Sequence, residues 1–349
     1  MNIWAPGRVN LIGEHTDYSG GLVLPAAIQL GLSFDVTKRS DGVVDLFSAT
    51  FGAGIPFSAD GSGAHVHGWT RFGQAVAAEL ALLGRRPIGM AGTVSSTLPP
   101  GSGLSSSAAL EVGVALALCA VADFNIPPLE LAAACQRAEL LAVGVPCGIL
   151  DQAACLLGAR DAAILLDCGT LEYKLISIPE DAAFLILDSG VKRQLEHSGY
   201  ARRRAELESA LAVIGADTST LVTEDDLAGL HGLHRRRLRH VVTENTRVLG
   251  FTAALANDDL RTAGAILDAS HASLRDDYAV SIPELDDLVA LARQCGAYGA
   301  RLLGGGFGGA VLALVDIELA SEVSEAIATT RPELESPMLV HASPGAHAL

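Results

Sequence analysis

The chain has 349 residues, about two domains' length, half of them apolar and 18% charged, so it has enough apolar surface for a sizeable core and too much for disorder. Against 24 lysines and arginines stand 40 aspartates and glutamates, a net charge of −16. That excess argues against sequence-independent nucleic-acid binding and against anionic membranes; an anionic ligand must be held locally, by backbone N–H groups, a helix N-terminus or a metal.

Near the start, Arg8-Val9-Asn10-Leu11-Ile12-Gly13-Glu14-His15-Thr16-Asp17-Tyr18-Ser19-Gly20-Gly21 crowds polar groups of several kinds around the apolar pair Leu11-Ile12. Ordinary surface charge would explain each residue singly, whereas the cluster offers the donors and acceptors that a hydroxyl-rich ligand needs. The same charges interrupt any apolar leader, and no run of about 18 apolar residues follows, so no membrane span is expected. Residues 22–37 read as strands, and 67–84 as a helix with Trp69, Phe72, Val76, Leu80 and Leu83 on one side. A strand over 88–98 then runs into Pro99-Pro100-Gly101-Ser102-Gly103-Leu104-Ser105-Ser106-Ser107-Ala108-Ala109, followed by a helix to about 122 that is apolar nearly all round. Glycines permit close backbone approach, and the first-turn N–H groups of the helix are free to bind an anion. Either this is a phosphate loop or a serine-rich helix cap; with only three lysines and no Gly-Lys-Ser/Thr it is not a Walker loop.

A further helix is expected over 129–143, then Gly144-Val145-Pro146-Cys147-Gly148-Ile149-Leu150-Asp151-Gln152, whose aspartate is either a helix cap or a catalytic carboxylate. Residues 162–167 and 184–188 read as short buried strands. Helical stretches follow at 201–214, 236–256, 259–274 and 284–295. Strand 297–302, Gly304-Gly305-Gly306-Phe307-Gly308-Gly309, strand 310–315, a helix near 318–329 and strand 338–341 then suggest a split α+β sandwich. That glycine run is too rich for a plain hairpin and points to close approach to a ligand or to the other half. The class is α+β, in two domains, 1–180 and 181–349. Six cysteines without a C-x-x-C pair read as reduced core residues of a cytoplasmic protein. His65 and His67 lack further ligands nearby, His231 and His234 beside Arg235-Arg236-Arg237 suggest a solvated helix face, and Glu224-Asp225-Asp226 reads as helix N-terminal charge.

Taken together and in this order, the four motifs resemble the GHMP small-molecule kinases, and the first resembles the signature of the galactokinases among them. The resemblance covers essentially the whole chain. It implies an N-terminal domain like ribosomal protein S5 domain 2, a ferredoxin-like C-terminal α+β sandwich, and transfer of the γ-phosphate of ATP to the C1 hydroxyl of D-galactose by a monomer. A kinase of another sugar, such as N-acetylgalactosamine or arabinose, and a non-catalytic sugar sensor are the alternatives. By the same resemblance Glu14, His15 and Asp17 would bind sugar hydroxyls, with Tyr200, from His197-Ser198-Gly199-Tyr200, as a sugar-contacting tyrosine. Asp151 would face the anomeric hydroxyl, with Arg8 beside it as counter-charge. Gly101, Ser102, Gly103, Leu104, Ser105, Ser106 and Ser107 would wrap the ATP phosphates, Ser107 and Glu139 would hold Mg²⁺, and Trp69 would lie near the adenine or simply pack in the core. Leu302-Leu303 stand where the family usually has Met-Thr.

Overall fold

The computed structural model describes residues 1–99, 101–145, 147–191 and 199–349. Pro100, Pro146 and the pair His197-Ser198 lie outside the described residues. In chain order the first half gives β1 (Asn2–Asn10), β2 (Leu22–Val23), β3 (Pro25–Arg39), β4 (Val43–Ser48), β5 (Gly52–Ala53), β6 (Phe57–Ser58), α1 (Thr70–Leu82), β7 (Gly89–Ser96), α2 (Ser106–Ala122), α3 (Pro128–Val143), α4 (Leu150–Leu157), β8 (Ala162–Asp167) and β9 (Tyr173–Ser177). The second half gives β10 (Ala182–Asp188), α5 (Gly199–Ile214), α6 (Gly232–Ala256), α7 (Leu260–Ser273), α8 (Pro283–Gln294), β11 (Gly299–Leu303), β12 (Ala310–Asp316), α9 (Ala320–Thr330), β13 (Met338–Val340) and β14 (His347–Ala348).

Among the described residues the strands form three sheets. The largest runs β14-β1-β3-β7-β4-β5, with β6 also on β4, and every pair in it is antiparallel except β4 with β7. A second sheet runs β11-β12-β10-β13, and a third β2-β8-β9. Long, strongly patterned segments fall where their periodicity predicts them. The sequence reading omits β1, because its polar motif and Pro6 interrupt the alternation, and it omits the short strands β4, β5, β6, β9 and β14. Here tertiary pairing overrides weak local preference.

Helix α2 is the central support of the N-terminal half. Thirteen of its residues are buried, consistent with an apolar run on all faces. It packs on β1, β3, α1, α3 and α4, so its N-terminus is held from several directions. One continuous apolar core joins α2 and the large sheet to Val248 and Phe251 of α6 and to Leu303 and Leu312 of the second sheet. Burial on this scale, at roughly 25 cal/mol per Å² of apolar surface, ties the two halves together.

Candidate active site

Against β3, strand β1 shifts register between Pro6 and Arg8. Such a bulge re-aims the side chain beside it. Gly7 allows it, since a Cβ there would lie 2.7 Å from the Leu104 carbonyl, the group that accepts the Arg8 backbone N–H at 3.2 Å. The Arg8 guanidinium then meets Asp151 edge-on, with Nε to Oδ1 at 2.7 Å and Nη2 to Oδ2 at 2.8 Å, while Nη1 donates to the Gly103 carbonyl at 2.9 Å. Two parallel charge-assisted bonds fix both distance and plane. The Ser105 hydroxyl donates to Oδ2 of the same carboxylate. Of the two sequence readings for Asp151, the cap is not what forms. Asp151 lies in the first turn of α4, the position before that helix is Ile149, and no side chain caps it.

The loop before α2 turns through left-handed backbone at Gly101 (φ 78°), Gly103 (φ 74°) and Ser105 (φ 58°). Ser105 occupies the cap position of α2, yet its side chain makes no capping bond. The first-turn N–H groups of α2 therefore lack both intrahelical acceptors and a side-chain cap, the arrangement an anion exploits. One residue into the helix, Ser107 Oγ donates to Glu139 Oε1 of α3 at 3.2 Å. The other oxygen of Glu139 accepts from Gln152 Nε2 at 2.8 Å and from Cys147 Sγ at 3.1 Å. Behind them Glu111 is fully buried on α2, and its carboxyl is pushed up to about 9 by burial and then by Glu139 and Asp151.

Glu14, His15 and Asp17 lie on the loop after β1 and have different surroundings. Glu14 is buried and accepts from the Gly304 N–H at 2.7 Å, Asn10 Nδ2 at 3.1 Å and Arg301 Nη2 at 3.2 Å. Burial alone would raise its carboxyl; Arg301, Gly304, Asn10 and Arg8 together hold it below its usual value. His15 is only 4% exposed. Its Nε2 donates to the Gly305 carbonyl at 3.2 Å, which leaves Nδ1 to the Tyr18 hydroxyl at 2.9 Å. The Tyr18 hydroxyl meets that of Tyr278 at 2.8 Å, and the Tyr200 ring lies 5.6 Å from the His15 ring. Three of the chain's five tyrosines thus surround one histidine.

Asp17 has the perturbed carboxyl of the set, raised to about 7 by burial, then by the charges of Asp151 and Glu14. It lies against Gly148, where a Cβ would sit 1.7 Å from Oδ2. Beside it opens a cavity of about 370 Å³ bounded by Tyr18, Gln136, Cys147, Gly148 and Arg204. The structure therefore brings together Arg8, Gly103, Ser105 and Asp151 at one point, and Glu14, His15 and Tyr200 beside the glycine run 304–309, while Asp17 lies against Gly148. Trp69 stands just before α1, packed against the core, with its indole N–H buried and without a partner among the described residues. His65 and His67 are exposed. Among the described residues no cluster of three or more His, Cys, Asp or Glu is arranged to hold a metal ion.

Sequence reasoning missed the residues that support this loop from behind. Helix α6 supplies His240 Nε2 to the Glu14 carbonyl (3.0 Å), Glu244 to the Gly13 N–H (3.2 Å) and Asn245 to the Leu22 N–H (2.9 Å). Arg301 of β11, wholly buried, donates to the carbonyls of Asn10, Leu11 and Leu302 besides Glu14. A lone arginine inside the apolar run 299–303 and a lone glutamate inside α2 were the visible signals for Arg301 and Glu111. The α6 residues offered none, because a polar stripe on an amphipathic helix looks solvated.

Residues 72–159 match the GHMP kinases N terminal domain, 251–332 the GHMP kinases C terminal domain, and 2–37 the galactokinase galactose-binding signature. The chain is 42% identical to the galactokinase of Pyrococcus furiosus over 327 residues, covering 94% of this chain and 92% of that protein. With the galactokinase of Streptomyces coelicolor it shares 40% over 365 residues, covering 99% and 93%. The crystal structure of Lactococcus lactis galactokinase complexed with galactose superposes with a TM-score of 0.93 at 34% identity, covering all of this chain and 95% of the other. A mevalonate kinase structure at 18% identity, with a TM-score of 0.72 over 99% of both chains, shares the fold.

Proposed function

Since the chain belongs to the galactokinases of the GHMP kinase family, we propose that it transfers the γ-phosphate of ATP to the C1 hydroxyl of D-galactose, with Asp151 receiving the proton. The observation that carries this reading is the meeting of Arg8, Ser105 and Gly103 with the Asp151 carboxylate. The sugar hydroxyl takes the place of Ser105 as donor to Oδ2. Its oxygen attacks the γ-phosphorus in line, the bond to the β–γ bridging oxygen breaks, and ADP departs with that electron pair. Phosphoryl transfer depends chiefly on positioning and charge stabilisation. Main-chain N–H groups over 101–107 supply donors to the phosphate oxygens at a helix N-terminus.

The sugar lies in this reading between Asp17, Glu14, His15 and Tyr200, the charged acceptors taking its hydroxyl protons. The ring of Trp69 would lie near the adenine in this reading, its buried N–H having no partner among the described residues. Ser107 and Glu139 are hard oxygen donors 3.2 Å apart at the loop, a set that fits Mg²⁺ completed by phosphate oxygens and water. When bound there, Mg²⁺ neutralises charge on the phosphates. We place the protein in the cytoplasm, where its six free cysteines stay reduced, and read it as a monomer. Among the described residues no helix is long and apolar enough to cross a membrane. Residues 1–180 and 181–349 are its two domains in this reading.

The test is Asp151→Asn, followed by ADP release and by calorimetric binding of galactose and ATP. Turnover should fall by about 10²- to 10⁴-fold, the usual contribution of a general base, while both ligands still bind. Near-normal turnover would remove Asp151 from the mechanism, and an ADP-release assay favouring another sugar would overturn galactose.

A further inference from the structure

Beneath the loop lies a polar chain that the proposed transfer leaves unexplained. Gln152, wholly buried and adjacent to Asp151, donates from Nε2 to Glu139 at 2.8 Å and to Glu111 at 3.0 Å. One amide nitrogen thus ties two carboxyl groups from two different helices. Glu111 lies one helical turn beyond Ser107 on α2, where i and i+4 share a face. Its Oε1, like the Oε1 of Gln152, is buried and has no partner among the described residues. Burying a carboxyl with one oxygen unpaired is unfavourable, and an apolar side chain of similar size would suit this apolar helix better. The remaining polar atoms show a consistent direction. Gln152 and the Cys147 thiol both donate to Oε2 of Glu139, so that Oε1 is turned toward Ser107 and the loop.

We propose that Gln152, held in place by Glu111, is a positioning residue that orients the Glu139 carboxylate for a divalent cation at the phosphate loop. This rests on the reading of Glu139 as a metal ligand. Groups behind a metal ligand fix its plane and its free lone pairs, and their loss typically lowers metal affinity about 10- to 100-fold. Gln152 does so without touching the metal, and Glu111 acts one step further back, by anchoring the amide.

The experiment measures Mn²⁺ binding to the full-length protein with a non-hydrolysable ATP analogue, by electron paramagnetic resonance of free Mn²⁺, together with galactose binding and the melting temperature. Glu139→Ala is the reference. Gln152→Met should weaken Mn²⁺ binding by about tenfold or more, with galactose affinity unchanged. Glu111→Met should weaken it too while melting no lower than the parent, because an unpaired buried carboxyl has been replaced by an apolar chain; Glu111→Gln, which keeps an acceptor for the amide, should restore it. Loss of Mn²⁺ binding only in step with loss of stability would mark a purely structural role and overturn the proposal. If Glu139→Ala weakens binding and neither Gln152→Met nor Glu111→Met does, the positioning role is refuted. If Glu139→Ala itself leaves binding intact, the metal-ligand reading fails instead. Should Gln152→Met fail to fold, the two Glu111 variants decide the matter.

Discussion

Replacing Arg301 by methionine would remove the cation buried against Glu14. The guanidinium is wholly inaccessible and donates to three main-chain carbonyls besides the carboxylate. After substitution Glu14 retains, among the described residues, the Gly304 N–H and Asn10 as close donors. Leaving one member of a buried ion pair uncompensated costs about 3–5 kcal/mol, a large share of the roughly 5–15 kcal/mol that holds a folded domain together. The loss should depend on pH with a definite sign. In the parent the native Glu14 carboxyl is held below its usual value despite burial, mainly by Arg301. Its stabilisation is therefore present above the unfolded-state value and fades as pH falls through the native one. Without Arg301, burial dominates and the native value rises above the unfolded one. The variant then loses stability as pH rises through that window, and the gap from the parent widens from acid to neutral pH. Urea unfolding followed by circular dichroism near about pH 5 and about pH 8 would measure it, with Glu14→Gln in the variant background as rescue. A loss below about 1 kcal/mol, the scale of an exposed pair, or one independent of pH, would refute this account of Glu14.

Because Asp17 titrates at about 7 in the free protein and is proposed to accept sugar hydroxyls, the KM for galactose should fall about tenfold from about pH 6 to about pH 8 as the carboxylate ionises. Steady-state kinetics with Asp17→Asn should flatten that profile, and an unchanged slope would exclude Asp17 as its source. Gly148→Ala places a methyl 1.7 Å from Asp17 Oδ2; the galactose KM should rise while that for ATP holds, and equal effects on both would point to general distortion. With a net charge of −16 repelling an anionic nucleotide, raising ionic strength from about 0.01 to about 0.15 M, which shortens the Debye length from about 30 to about 8 Å, should lower the KM for ATP. A rising KM would instead reveal a local cationic field at the loop.

The parts of this site that were legible in the sequence are those carried on contiguous segments. A strand, two glycines and a serine run before a largely apolar helix suggest an anion site locally, and Arg8, Glu14, His15 and Asp17 fall within ten residues of one another. Spacing and periodicity did not say which partners they meet; the family resemblance alone set Arg8 beside Asp151, and nothing set Glu14 beside Arg301. Arg8 finds Asp151 across 143 positions, and Glu14 finds Arg301 across 287. No periodicity links such pairs, since Arg8 meets Asp151 where β1 packs on α4 and Glu14 meets Arg301 where the loop after β1 reaches β11, not through either segment's own preference. The strand carrying Arg8 was itself hidden, because a bulge breaks the alternation that marks a strand. Nor does residue type alone separate the tasks of the polar groups around Glu14, with Glu14 tied to Arg301 and His15 to Gly305 while Asp17 lies against Gly148 beside a cavity.

The proposed base and the loop before α2 are joined through one side chain. The Arg8 guanidinium spends two donors on Asp151 and one on the Gly103 carbonyl, so the carboxylate and the turn that would cradle phosphate form a single unit. In-line transfer tolerates little error, with reacting atoms about 3–3.5 Å apart in a productive complex. A carboxylate on α4 and a loop before α2, left independent, would each wander by a fraction of that. Ser105 closes the unit from the other side. Its left-handed backbone costs about 1–2 kcal/mol in a residue bearing a Cβ, and its hydroxyl serves Asp151 rather than capping α2. The bond to Asp151, together with the Ala109 N–H on the Ser105 carbonyl, holds that conformation in place. In the proposed reaction a substrate hydroxyl that displaces Ser105 would release this restraint on the loop as the nucleophile arrives, coupling sugar entry to loop conformation through one carboxylate oxygen.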